Sequence, residues 1–587
     1  MTFIKILSSI RLFLWPHIHL TIPLNLSPLT LPIITLTDVS FTYREGTTAA
    51  LKEISYSHHR GDFTVIIGET GAGKSTFCRC LNGLIPSFIK GTIQGEYKVS
   101  GIEKANTLQV HELARIVGLV FQDFEAQLFS TNVELETAFS LENFSEPPEN
   151  MPNEVARALN QVGLVGFEHR DPSSLSGGEK QRLAIASVLA GKPKLVVMDE
   201  PTTDLDPIGK REIFELSQNL RKNIGGIILV EHETEHILTA DRVLLMHEGQ
   251  ITREGRPTEI LSDPKYLEQC GVRPLQRTIL LSRLGLGIEI FTIPETVKKV
   301  LSAGWKVKKN ANKILQSNQK QKSDVCVAQV KNLTFKYDKT IAIDNVSLDI
   351  MAGEFVALVG QNGCGKTTLA KHLNGLHKPQ KGEVHILGKS IMEWTLPELG
   401  RRVGYVFQNP DHQIFANTIL DEVAFGPRNF GLTEKNVKEK VFAALAATGL
   451  ENREMDDPFS LTRGERQQLA VASVLATDPD ILVLDEPTTG LDYHGQLAIL
   501  GLIQRLNNTG MTVIIITHSM WVVSEYADRC IIMSRGRLVQ DAEVRLCFQN
   551  PEALESLYLE APEAVRLGYE FGLVVRSIEE LVDCLEI

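Results

Sequence analysis

Two glycine-rich segments carry the residue types suited to holding a chain of phosphates. Gly68, Glu69, Thr70, Gly71, Ala72, Gly73, Lys74 and Ser75 are followed by Thr76; Gly360, Gln361, Asn362, Gly363, Cys364, Gly365, Lys366 and Thr367 are followed by Thr368. Each closes a β-branched run and opens a stretch that reads as helix. Glycines there let successive backbone amides converge on phosphate oxygens, and a helix N-terminus favours the negative charge. The spacing puts Lys74 and Lys366 on the β- and γ-phosphates and Ser75 and Thr367 on a magnesium ion. Complementary acids end two apolar strands, Asp199-Glu200 and Asp485-Glu486. The aspartate can hold the magnesium shell, and the glutamate can polarise or deprotonate an attacking water.

These elements stand on a tandem repeat. Gln122 and Gln408, Asp199 and Asp485, and His232 and His518 are each 286 residues apart. Both acid pairs continue Pro-Thr-Thr-x-Leu-Asp. Internal repetition on this scale means two copies of one unit. The 587 residues divide into a leader (1–32), a first unit (33–260), a small accessory segment (261–303), a linker (304–326), a second unit (327–545) and a C-terminal accessory segment (546–587). The linker, polar and basic around Lys306–Asn310 and Gln316–Ser323, reads as flexible. Apolar residues of the two accessory segments are expected to pack against the units, with a role in dimer contacts or regulation as the alternative.

Composition narrows the class. Hydrophobic residues are 43%, charged residues 22%, and the formal net charge is −12. That is globular, and the acidic balance gives no general footprint for nucleic acid, so none is expected as a partner. Eight cysteines without a CxxC pair argue against a disulfide scaffold or zinc site and for a reducing cytosolic compartment. In the leader, Arg11 and four prolines interrupt the apolar residues, which excludes a spanning helix. It reads as a disordered leader or a start counted too far upstream, with a weak membrane-surface anchor as the alternative.

With Leu175-Ser176-Gly177-Gly178-Glu179 the motif set resembles the ATP-binding cassette (ABC) ATPases over residues 33–260 and 327–545. The resemblance implies two α/β cassettes, each with a RecA-like parallel-sheet core, an antiparallel β subdomain and a helical signature subdomain. It implies ATP and Mg²⁺ as ligands. Tyr43 and Tyr337 match the aromatic that stacks on adenine, a packed strand aromatic being the competing reading. Gln122 and Gln408 match the glutamine at Mg²⁺ and the attacking water, His232 and His518 the switch histidine. Asp206 and Asp492 match the loop that communicates between sites. The cassettes are expected to pair head to tail, so Ser176, Gly177 and Gly178 face the ATP held by Lys366. The second signature, Thr462-Arg463-Gly464, then faces the ATP held by Lys74. Arg463 replaces a glycine, which predicts slower hydrolysis at the first site; the alternative is an arginine that points to solvent or adds a phosphate contact, with both sites competent. Cys364 offers a thiol probe of the second loop if the pocket is accessible.

The residues after each glutamine narrow the resemblance. Gln408-Asn409-Pro410-Asp411-His412-Gln413 and, more loosely, Gln122-Asp123-Phe124-Glu125-Ala126-Gln127 are similar to the energy-coupling-factor importers of vitamins or cobalt and nickel. The resemblance implies an ATPase motor at the cytoplasmic face of the cell membrane. Its partners would be a transmembrane scaffold, docked at these segments, and a separate substrate-capture membrane protein. The rival class is a soluble ABC ATPase acting on ribosomes. Its long charged inter-domain arm is not evident, and its Asn-His after Pro-Thr is replaced here.

Overall fold

The computed structural model describes residues 32–102, 108–203, 205–316, 323–338 and 340–587. Residues 1–31 of the leader and Asp204 lie outside the described residues.

In the first cassette, strands β1 (Ile34–Tyr43) and β2 (Leu51–His58) precede β3 (Phe63–Gly68), helix α1 (Lys74–Leu81) and β4 (Gly91–Val99). Strands β2, β1 and β4 form an antiparallel sheet. A second sheet adds β5 (Val117–Val120), β6 (Leu195–Met198), β7 (Ile227–Val230), β8 (Arg242–His247) and β9 (Gln250–Gly255) to β3. Its order is β5-β6-β7-β3-β8-β9, parallel except for the last pair. Every residue of β3, β5, β6 and β7 is buried, as continuous apolar runs covered on both faces require. Three helices, α2 (Val133–Asn143), α3 (Met151–Gln161) and α4 (Gly177–Ala190), fill the excursion between β5 and β6, and α5 (Pro207–Leu220) crosses from β6 to β7.

The accessory segment contributes α6 (Gln276–Arg283), α7 (Ile293–Ser302) and β10 (Lys306–Val307). The second cassette then repeats the plan. Its antiparallel sheet holds β11 (Cys326–Tyr337), β12 (Thr340–Met351), β14 (Lys381–Ile386) and β15 (Lys389–Ser390). Its larger sheet holds β13 (Phe355–Val359), β16 (Val403–Val406), β17 (Ile481–Asp485), β18 (Thr512–Ile516), β19 (Arg529–Ser534) and β20 (Arg537–Glu543). The order β16-β17-β18-β13-β19-β20 is that of the first copy. Helices α8 (Lys366–Leu373), α9 (Ile419–Asn429), α10 (Glu434–Thr448), α11 (Arg463–Leu475) and α12 (Tyr493–Asn508) stand where α1 to α5 stand in the first. The α/β architecture of two cassettes is therefore as the motifs implied. In each, the phosphate loop and the acid pair sit at the carboxyl ends of parallel strands, where open α/β sheets bind ligands.

The accessory segments pack in two directions. As expected, Leu267, Cys270 and Leu275 join the core of the first cassette, and Phe548, Leu554 and Leu559 that of the second. Beyond the expectation, the segments also pack on each other: Leu280, Leu281 and Val300 share one core with Leu567, Val575 and Leu581. Helix α13 (Glu563–Glu570) faces α6, and its Glu563 carboxylate accepts from Gln276 N at 2.8 Å and pairs with the Arg277 guanidinium. Apolar faces at equivalent places in a repeat are complementary to one another, so pairing them buries both. The first part of the linker is also ordered. Strand β10 pairs with β21 (Leu585–Glu586), and Ala311 and Leu315 enter the shared core. The polar composition hid three apolar anchors, Val307, Ala311 and Leu315, at spacings that suit a strand and one helical turn. Residues 317–322 lie outside the described residues.

Candidate active sites

At the first phosphate loop the chain must pass close beneath β8. A Cβ on Gly68 would stand 2.1 Å from the Met246 carbonyl oxygen, and one on Gly360 would stand 2.1 Å from that of Met533. Only glycine fits such an approach. Lys74 Nζ donates to the Gly68 and Glu69 carbonyls at 2.8 and 2.7 Å; Lys366 Nζ donates to those of Gly360 and Gln361 at 2.7 and 3.1 Å. Each buried ammonium is thus held over its own loop. Burial lowers the Lys74 pKa, and Glu200, Asp492 and Asp199 oppose that shift. Ser75 Oγ donates to Asp199 Oδ1 at 3.1 Å, and Thr367 Oγ1 to Asp485 Oδ1 at 3.4 Å. Hydroxyl and carboxylate oxygens brought together in this way form a hard donor set that suits Mg²⁺. Burial, then the neighbouring Glu200 charge, raises Asp199 to about 6. Burial likewise raises Asp485.

Both glutamates occupy the left-handed backbone region, with φ of 49° at Glu200 and at Glu486. Non-glycine residues rarely adopt it, and such strain concentrates at functional sites. Around Glu200 every carboxylate oxygen is engaged. His232 Nε2 lies 2.8 Å from Oε1, Gln122 Nε2 donates to Oε2 at 2.6 Å, and Thr203 Oγ1 donates to Oε2 at 3.3 Å. Burial alone would raise this carboxyl; His232, Lys74 and Arg463 outweigh it and hold it down to about 2. The second site differs. His518 Nδ1 lies 3.0 Å from Glu486 Oε1, yet neither atom is aligned for a hydrogen bond, and His518 Nε2 also lacks a partner. Tyr405 donates to Asp485 Oδ2 at 2.7 Å. Sequence reasoning passed over Tyr405, although its repeat counterpart is Leu119, a difference that aligning the copies would expose.

The cassettes face each other head to tail. A cavity of about 940 Å³ brings Gly177 and Thr203 of the first together with Gly363, Gly365, Lys366, Thr367, Thr368, Gln408, Asp485, Glu486 and His518 of the second. Tyr337 lies at the same cavity, its hydroxyl 2.7 Å from His377 Nε2. Tyr43 instead hydrogen-bonds Thr76 Oγ1 at 2.8 Å and stands edge-on to Phe41. In each signature the hydroxyl residue caps the following helix. Ser176 Oγ accepts from Glu179 N, and Thr462 Oγ1 accepts from Glu465 N, both at 3.3 Å. Nothing lies within 4 Å of a Cβ built on Gly177 or Gly178. Arg463 does not simply point to solvent, for its guanidinium lies against Gly490. Asp492 reaches the first phosphate loop, accepting from Thr70 N at 2.7 Å, whereas Asp206 caps its own helix α5 through Gly209 N at 2.9 Å. Cys364 is buried, and burial raises its thiol pKa, so it is a poor probe of the loop.

Two phosphate loops, two strand-end acid pairs and two signature helices closing on each other define a paired nucleotide-binding ATPase. The family model described as ABC transporter matches residues 51–203 and 343–489. An ABC transporter ATP-binding protein of Caldanaerobacter subterraneus subsp. tengcongensis is 46% identical over 562 residues, covering 94% of this chain and 98% of that protein. One of Methanosarcina acetivorans is 38% identical over 569 residues, covering 94% and 92%. Another, from Vibrio vulnificus, is 36% identical over 548 residues, covering 92% and 95%. Among solved structures, cbiO1 from Clostridium perfringens, part of the ABC transporter complex cbiONQ, is 31% identical, covering 42% of this chain and 98% of that one, with a TM-score of 0.37. The chain belongs to the ABC transporter family and is an ATP-binding subunit with two ABC domains.

Proposed function

We propose that this chain is the ATP-hydrolysing motor of an importer of the energy-coupling-factor type, working at the cytoplasmic face of a membrane. Its partners are a transmembrane scaffold and a separate membrane protein that captures the cargo, a vitamin or a transition-metal ion. The observation that carries this reading is a duplicated aromatic pair on the surface. Phe129 and Phe139 meet edge to face with ring centroids 4.5 Å apart; Phe415 and Phe425 do the same at 4.7 Å. All four are exposed, from 43% to 62%. Exposed aromatics at equivalent places in both cassettes mark a binding surface rather than a core. They lie in the segments after Gln122 and Gln408 that resemble the scaffold-docking region. The first copy lacks Asn-Pro-Asp but keeps the pair, so both cassettes dock. Among the described residues no helix is long and apolar enough to cross a membrane, which leaves the pathway to other chains.

In the reaction, Lys74 and Lys366 hold the β- and γ-phosphates while the amides of Gly68–Thr76 and Gly360–Thr368 cradle them. Ser75, Asp199 and Gln122, and Thr367, Asp485 and Gln408, are the residues that would hold Mg²⁺, which when bound neutralises phosphate charge. Glu200 and Glu486 orient and deprotonate the water, and His232 and His518 contact the γ-phosphate. Tyr43 and Tyr337 stack on adenine, and each signature closes the site of the other cassette. Catalysis is then positioning and charge stabilisation around an in-line attack.

Affinity capture of the tagged chain from detergent-solubilised native membranes tests the reading. A multi-spanning scaffold with a small membrane protein should co-elute, and Phe139→Glu with Phe425→Glu should release both while ATPase activity in solution persists. Ribosomal proteins without a membrane partner would overturn it in favour of the ribosome-acting class.

A further inference from the structure

The second signature differs from the first where the arginine stands, and the structure supplies a matching change elsewhere. Arg463 is the first residue of α11, following the Thr462 cap. Its guanidinium lies over Gly490: a Cβ on that glycine would stand 2.5 Å from Arg463 Cζ and 2.7 and 2.9 Å from its two terminal nitrogens. Gly490 has φ +70°. In the first cassette the equivalent pair is Gly177 and Asp204. In sequence, then, the first copy carries the larger residue at the loop position and the second carries it at the signature position. With the guanidinium in this seat there is no room for a side chain at 490, so a larger residue there would push the end of the arginine aside.

The guanidinium sits between the two sites: Arg463 also lines the cavity that holds Lys366 and Glu486, and its seat reaches the first site through the neighbouring loop. Gly490 belongs to the loop that ends on Asp492, whose carboxylate holds Thr70 of the first phosphate loop at 2.7 Å. The positive charge of Arg463 is felt at Glu200 across the cassette interface. The glutamates are unequal as well. Both oxygens of Glu200 are bonded, to His232, Gln122 and Thr203, whereas Glu486 Oε1 and both ring nitrogens of His518 lack hydrogen-bond partners. A carboxylate with both oxygens in hydrogen bonds is a poor proton acceptor, and one that keeps an oxygen outside any hydrogen bond, as Glu486 keeps Oε1, is better placed to accept a proton from water. A guanidinium also offers a planar fork suited to phosphate oxygens, which a glycine amide does not.

We propose that Arg463 is a phosphate-binding residue of the first ATP site, seated by Gly490, that makes this site retain ATP while the site at Lys366 and Glu486 turns over. The proposal rests on the reading of the chain as a two-site ATPase. On closure the guanidinium meets the terminal phosphate of the nucleotide held by Lys74, and the tied Glu200 leaves that phosphate in place.

The test uses the purified full-length chain with radiolabelled ATP and Mg²⁺. Retained nucleotide is identified after rapid desalting, in the wild type and in the Glu486→Gln background that isolates turnover at the first site. Wild type should retain about one nucleotide per chain, chiefly as ATP. Arg463→Gly should release it roughly tenfold faster, the factor carried by one charge-assisted hydrogen bond, and should raise residual turnover in the Glu486→Gln background. Arg463→Lys should fall between. Gly490→Asn tolerates the left-handed backbone but displaces the guanidinium, so it should reproduce the faster release and add nothing once Arg463→Gly is present. Retention unchanged by both Arg463→Gly and Gly490→Asn would overturn the role of Arg463. A wild-type chain that binds no ATP at either loop would instead overturn the two-site reading itself.

Discussion

Asp492 holds Thr70: the carboxylate of one cassette accepts the backbone N–H of the other's phosphate loop at 2.7 Å. Its other oxygen caps α12 by accepting from Gly495 N at 2.8 Å. One side chain therefore ties the start of a helix in the second cassette to the nucleotide cradle of the first. Asp492→Ala removes both bonds and should cost about 1–2 kcal/mol of stability through the lost cap. It should also weaken ATP binding at the first site more than at the second. Titration in Lys366→Ala and Lys74→Ala backgrounds separates the sites; equal weakening would show that the contact does not shape the loop.

The two glutamates should not be interchangeable. Glu486→Gln should abolish most steady-state hydrolysis, by 10²-fold or more if proton transfer to this carboxylate is required. Glu200→Gln should leave a larger residual rate. Equal losses in phosphate-release assays would mean that the different bonding of His232 and His518 has no kinetic consequence.

Cys364 should resist alkylation in the folded chain although it lies inside a phosphate loop. The thiolate is the reactive form, and burial both raises the thiol pKa and blocks access. Quantifying modification of this cysteine by mass spectrometry should give slow labelling with or without ATP and fast labelling in denaturant.

Glu563 should be the more consequential member of the accessory core. Its carboxylate accepts from Gln276 N at the start of α6 and pairs with Arg277. Glu563→Ala leaves that buried guanidinium without its partner, a change that costs about 3–5 kcal/mol when one member of a buried pair is removed. Denaturant unfolding, together with protease sensitivity of the two accessory segments, measures this. Glu563→Gln keeps an acceptor and should cost less.

Glu525 should make stability depend on pH. Burial, partly offset by Arg273, raises its carboxyl to about 7. The folded chain therefore keeps a proton that the unfolded chain releases at ordinary carboxylate values. This group's contribution is fully present below the unfolded pKa and is lost as pH rises towards about 7. Glu525→Gln should match the wild type near pH 4 and exceed it at pH 8 by about 1–3 kcal/mol. Thermal midpoints across that range check the sign.

The phosphate loops, the acid pairs and the repeat were legible because their chemistry is local. Eight consecutive residues fix the cradle of amides around Lys74, and an apolar run ending in Asp199-Glu200 fixes a buried strand with acids at its tip. The fold class followed from the family resemblance that these contiguous motifs carry. Even the inequality of the signatures stood in the sequence, since Arg463 replaces a glycine.

Where that arginine goes was not local. It lies on Gly490, and the fit depends on how α11 packs against the loop before α12. The same holds for the histidines: His232 and His518 occupy equal places in the repeat, yet ring orientation alone decides which one bonds its glutamate. The accessory segments were half legible for the same reason. Their apolar residues pointed to packing against the cassettes, which Leu267 and Leu554 do, but not to the core that α6 and α13 share. Gln276 and Glu563, 287 residues apart, meet because two half-covered modules bury more apolar area together than either does alone. A sequence states which residues must be buried or charged; only the packed chain decides which of them meet.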